Sequence, residues 1–125
     1  MKFNYVHDKV KLASTGKVCK LLSVDHVKRT VRVLYSNGQG HWEEMSDIEK
    51  HIRYIYKKDV DGKPIYEGDI VKIPGYEEQA FVVWDEVELG WKLSTANSMF
   101  VCSASFNTGN IKKFGLKVIG SIYDE

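Results

Sequence analysis

Thirteen residues, Asp61-Gly62-Lys63-Pro64-Ile65-Tyr66-Glu67-Gly68-Asp69-Ile70-Val71-Lys72-Ile73, constrain this chain more than any other stretch. Asp61-Gly62 is a turn dipeptide. Pro64 lacks the backbone N–H that a ladder needs, so it belongs at an edge or in a loop. Glu67-Gly68-Asp69 makes a second turn, with Gly68 in a conformation other residues disfavour and the Asp69 carboxylate bonding nearby backbone N–H groups, and it delivers Ile70 to Ile73 as a strand. Two sharp turns therefore bracket a short exposed segment, Lys63 to Glu67, in which Glu67 is solvated.

On either side the chain continues in short strands. Val18, Leu21-Leu22 and Val24 read as one strand, and Val31, Val33 and Tyr35 alternate inward along the next. Asn37-Gly38 suits a tight hairpin and pairs that strand with Gly40 to Met45, which carries Trp42. Ser46-Asp47-Ile48-Glu49 fits a capping box, so one helical turn is expected near residues 46–50, followed by a strand through Ile52, Tyr54 and Tyr56. After Ile73, strands are expected at Ala80 to Trp84, Trp91 to Leu93 and Leu116 to Tyr123. Residues 94–110, rich in Ser, Thr, Asn and Gly, read as a loop broken by one short strand at Met99 to Cys102. Many short strands with frequent turns predict a mostly β fold of short antiparallel strands, as SH3-like small barrels or one composite barrel, with α+β as the alternative. The expected division is a β-meander subdomain over 1–56 and a barrel-like subdomain over 57–125, packed as one unit. The two halves share a layout, although their residues do not repeat.

Composition narrows the class. With 43% hydrophobic and 28% charged residues, 125 residues bury a core without cross-links. Cys19 and Cys102 stand alone, with no zinc spacing and no disulfide framework. There is no apolar leader and no run long enough for a membrane span, so a reducing cytoplasm is expected. The net charge of +1 is unevenly distributed: residues 1–35 hold eight Lys or Arg against two acids, and residues 36–125 hold ten against fifteen. Such asymmetry marks a surface for an anionic partner, a docking of the two parts, or nothing.

The residues Tyr54…Lys58-Asp59…Gly62-Lys63…Ile65-Tyr66-Glu67-Gly68-Asp69-Ile70-Val71, with Val118-Ile119-Gly120-Ser121-Ile122-Tyr123 at the end, resemble the YopX family of phage and prophage proteins. Where many members carry Thr-Gly ahead of the motif, this chain has Ile55-Tyr56. The resemblance implies a β-rich fold and a phage or prophage setting in a bacterial cytoplasm. It brings no catalytic residues to carry over.

Chemistry is sparse. His7, His26, His41 and His51 never fall at metal-ligand spacing, and Asp59-Val60-Asp61-Gly62 has its Gly too early for a calcium loop. No phosphate-cradling or nucleophile-elbow motif is present, and both cysteines lie in apolar strands, where a thiol is inert. The expectation is a protein that is not an enzyme and uses no cofactor or metal, a binding or adaptor module for an unknown protein partner. Its contact surfaces would be Lys63, Pro64, Tyr66 and Glu67, and the loop from Ser94 to Gly109. The alternative is nucleic-acid binding through Lys17, Lys20, Lys28, Arg29 and Arg32, with Tyr35 and Trp42 available for stacking. Metal-dependent or hydrolytic chemistry comes last, and unpaired β edges permit self-association.

Overall fold

The computed structural model describes residues 8–95, 99–101 as backbone, and 106–123. The described chain divides into two compact units, one running to Arg53 and the other from Tyr54 to Tyr123. The division lies three residues ahead of the expected 56/57 boundary, because Tyr54 pairs with Tyr66 and so belongs with the second unit.

The first unit is built from β1 (Lys9–Leu12), β2 (Val18–Asp25), β3 (Thr30–Leu34), β4 (Gly40–Glu44), a single 3-10 turn (Met45–Asp47) and β5 (Ile48–Ile52). Their order in the sheet is β4-β3-β2-β1-β5, and every neighbouring pair is antiparallel. Alternation sends Val10, Leu12, Cys19, Leu21, Val31 and Val33 to one face, where they form the core. Each is at most 2% exposed.

The second unit opens with a hairpin of β6 (Tyr54–Lys58) and β7 (Pro64–Tyr66). It continues through β8 (Asp69–Lys72), β9 (Ala80–Asp85), β10 (Gly90–Ser94), β11 (Met99–Val101), helix α1 (Thr108–Phe114) and β12 (Lys117–Ser121). The main sheet is ordered β11-β10-β9-β8-β12. Its core gathers Ile55 and Ile65 from the hairpin, Val71, Ile73, Val82 and Leu93 from the sheet, and Phe106, Ile111 and Leu116 around the helix.

The fold is mostly β and antiparallel. Neither sheet closes: among the described residues no pairing joins β4 to β5 or β11 to β12, so open five-stranded sheets replace the expected barrels. The helical turn expected at 46–50 is a 3-10 turn at Met45–Asp47. Ser46 lies inside that turn, the preceding Glu44 makes no side-chain cap bond, and Ile48 already pairs with Leu12 of β1, so the capping box does not form. Helix α1 sits where a loop was expected. Asn107 Oδ1 accepts from the Asn110 N–H at 2.9 Å, and Gly115, with φ 68°, ends the helix in the left-handed conformation. Of the strand expected at Met99 to Cys102, Cys102 lies outside the described residues.

The two main sheets have one topology, with β1 to β5 corresponding to β8 to β12. Once the strands are matched, some residues do repeat. Asp8-Lys9-Val10-Lys11-Leu12 corresponds to Asp69-Ile70-Val71-Lys72-Ile73, and in both the Asp and the second and fourth residues after it are buried. The β2–β3 and β9–β10 turns also match. Asp25 Oδ1 accepts from the N–H groups of Val27 and Lys28, and Asp85 Oδ1 from those of Val87 and Glu88. Arg29 and Leu89 take the same left-handed backbone, at φ 56° and 55°.

Candidate functional site

Because Val10, Cys19, Val31 and Val33 point into the core, their neighbours in the first sheet point out. The register then decides which meet. Lys9 pairs with Lys20, Lys20 with Leu34, and Arg32 with Trp42, so Lys9, Lys20, Arg32 and Trp42 run across four adjacent strands on one outward face. Lys20 and Arg32 are exposed, and Trp42 keeps 56% of its surface in solvent. A Cβ built on Gly40 would lie 3.3 Å from Nε and Nη2 of Arg32, so the bare glycine is what lets the guanidinium lie along β4.

The basic residues singled out in the sequence are only partly brought together. Lys20 and Arg32 share this face. Lys17 lies in the turn before β2, while Lys28 and Arg29 lie in the turn after it, and an eight-residue strand separates those ends by about 23 Å. None of these five side chains makes an ion pair among the described residues. Lys9 is an addition to that set, and strict alternation from the buried Val10 is the signal that places it outward. The matched turns differ in charge: His26, Val27, Lys28 and Arg29 in the first unit stand against Glu86, Val87, Glu88 and Leu89 in the second.

The segment expected to be presented to a protein is mostly not exposed. Lys63 and Pro64 are, but Tyr66 and Glu67 keep only 8% and 7% of their surface. The reason is pairing: Tyr66 lies opposite Tyr54, their rings 5.5 Å apart, and the Tyr66 N–H donates to Asp69 Oδ2 at 2.8 Å. Glu67, expected in solvent, is drawn in with it. Of the loop from Ser94 to Gly109, Asn107 to Gly109 are exposed, and residues 96–98 and 102–105 lie outside the described residues.

Groups able to do chemistry are engaged structurally. Among the described residues no three or more His, Cys, Asp or Glu side chains gather as a metal set. Asp8 Oδ2 and His51 Nε2, 2.7 Å apart, tie the start of β1 to β5. Asp59 Oδ1 accepts from the N–H groups of Asp61 and Lys63, and Oδ2 from that of Val118. Burial pushes the Cys19 thiol up from its ordinary range, with Glu43 adding to the effect and Lys17 opposing it, which leaves the thiol protonated and unreactive.

Tyr35 donates its hydroxyl to Glu43, and this bond, helped by desolvation, pushes the phenol up to about 12. A phenol whose folded pKa lies above the unfolded one stabilises the fold at neutral pH and loses that contribution as pH rises from about 10 to about 12. In a titration followed by absorbance at 295 nm, Tyr35→Phe is expected to remove one phenol that titrates at about 12. An unchanged high-pH limb would contradict the Tyr35–Glu43 bond.

A model of the YopX protein family matches residues 20–125, from within β2 to the end of the chain. The chain belongs to the YopX family. In this YopX protein the family match takes in Lys20, Arg32 and Trp42 and the whole second unit, while Lys9 precedes it. A solved structure, that of the protein EF1440 from Enterococcus faecalis, is similar at a TM-score of 0.56 and 14% identity, covering 94% of this chain and 92% of that one. At that identity the likeness extends to the fold. No curated protein matches the chain. Among the described residues no helix is long and apolar enough to cross a membrane.

Proposed function

We propose that this YopX protein is a non-enzymatic binding module whose first unit takes single-stranded nucleic acid on its outward sheet face. The observation that carries this reading is the row formed by Lys9, Lys20, Arg32 and the exposed Trp42. Cations spaced along adjacent strands follow a phosphate backbone, and an indole beside them offers a stacking surface to any base. A first unit that holds ten Lys or Arg against six acids through Arg53 favours an anionic partner. Contact with a protein partner is the second reading, favoured by Trp42 and Arg32 lying together on and beside the exposed edge strand β4, since Trp and Arg are the residues that dominate protein interfaces.

The test is retention of a fluorescent single-stranded oligonucleotide, first verified on protein stripped of co-purifying nucleic acid. Binding should weaken steeply with salt, Trp42→Ala should cost about 1–3 kcal/mol, and K20E with R32E should flatten the salt dependence. Equal retention by the charge-reversed protein ends the nucleic-acid reading.

A further inference from the structure

We propose that the second unit binds one nucleotide, a planar base together with its phosphate, in the cleft between the β6–β7 hairpin and helix α1. The cleft measures about 430 Å³ and is lined by Tyr54, Tyr56, Lys57, Lys58, Thr108 and Lys112. That volume lies within the range of small-molecule sites.

Charge selects an anion. Three lysines, Lys57, Lys58 and Lys112, line the cleft, and none of them makes an ion pair among the described residues. Lys57 Nζ lies 5.7 Å from the centroid of the Phe106 ring, which steadies its position. Asp59 also borders the cleft, but its oxygens are occupied by the N–H groups of Asp61, Lys63 and Val118, and Asp61 itself lies 3.8 Å from Lys117. Three lysines against the one carboxylate that lines the cleft leave a net positive charge for a phosphate, and the Thr108 hydroxyl adds a donor of suitable type.

Shape selects a ring. Tyr54 and Tyr56 lie with centroids 4.8 Å apart at 50°, and Tyr56 keeps 58% of its surface exposed. Its backbone is in the left-handed region, φ 60°, inside a strand whose register breaks between Tyr54 and Lys58. A bulge of that kind suits glycine, and a large side chain there costs stability. More than half of the Tyr56 surface faces solvent on the cleft that the three lysines line, which places its ring for a base to stack on.

This site lies in the second unit and stands apart from the proposal for the first. The test is calorimetry on the full chain with AMP, UMP, adenosine and inorganic phosphate. AMP is expected to bind saturably and about tenfold more tightly than adenosine or phosphate, since both halves of the nucleotide are held. Tyr56→Gly should weaken AMP at least about fivefold while leaving the melting temperature unchanged or raised. K58A with K112A should make AMP and adenosine bind alike. Absence of saturable binding of both AMP and UMP, parity of AMP with adenosine in the unaltered protein, or full AMP affinity in Tyr56→Gly would each overturn the proposal. So would loss of AMP binding in Trp42→Ala, which lies in the other unit. A short oligonucleotide that displaces AMP assigns the cleft to a nucleotide within a strand, and one that binds alongside AMP assigns it to a free mononucleotide; either supports the site.

Discussion

Gly68→Ala is expected to destabilise the second unit by about 2–4 kcal/mol, read as a fall in the urea midpoint with the slope unchanged. Two costs add. Gly68 has φ 78°, where a Cβ is disfavoured, and an added Cβ would lie 2.3 Å from Cε2 and 2.9 Å from Cδ2 of Tyr123 and 3.0 Å from Cγ1 of Ile122. The neighbours have little freedom to retreat, because the Ile122 N–H donates to the Gly68 carbonyl at 2.9 Å and the Gly68 N–H to that of Val82 at 2.8 Å. Gly75→Ala separates the terms: at φ 91° it has the conformational cost, but nothing lies within 4 Å of its Cβ position. Equal losses for the two substitutions would show that the close approach of Tyr123 contributes nothing.

Asp59→Ala is expected to cost about 3–5 kcal/mol. Asp59 is 7% exposed, and its two oxygens accept three backbone N–H groups, those of Asp61 and Lys63 within the hairpin turn and that of Val118 in β12, fifty-nine residues away. Removing the carboxylate leaves those donors without their acceptor and unties the hairpin from the last strand. Asp59→Asn should recover part of the loss, since one amide oxygen remains for the turn while an NH₂ group faces Val118. Asp25→Ala, which removes an acceptor for two N–H groups in an exposed turn, sets the scale for a local loss and should cost less. A melt of Asp59→Ala no lower than that of Asp25→Ala would refute the cross-link.

These two residues show how far the sequence can be read. Gly68 and Asp69 are legible, because a Glu-Gly-Asp turn before a β-branched run has few conformations open to it, and the Asp69 carboxylate does accept a backbone N–H. Asp59 reads as a member of a turn, which it is, but its bond to Val118 joins residues whose proximity no local pattern encodes. Helix α1 escapes the sequence for a related reason. It is seven residues long with Ile111 as its one buried anchor, so it has almost no periodicity, and its signals are the caps Asn107 and Gly115. The capping box at Ser46 fails in the opposite sense: a local signal is overruled because Ile48 gains more as a partner of Leu12 in β5.

The candidate surfaces divide in the same way. Lys20 and Arg32 are legible as outward positions, yet their alignment with Lys9 and Trp42 depends on register across four strands. Tyr56 reads in the sequence as an ordinary strand residue, and its left-handed backbone, φ 60°, is visible only in the structure. The cleft it borders joins residues 54–62 to 108 and 112, which become neighbours only when the helix packs against the hairpin's unit.

By itself the sequence determined the mostly β character, strands β2 to β4 and β8 to β10 with the turns at Asn37-Gly38, Asp61-Gly62 and Glu67-Gly68-Asp69, and membership of the family, because alternation and turn chemistry act within a few residues. Tertiary structure decided that the sheets stay open, that the two units repeat one topology, that Tyr66 and Glu67 are buried, and which charges share a face. Those outcomes depend on strand register and on hydrogen bonds spanning dozens of residues, and such pairings are chosen by the packing of the whole unit.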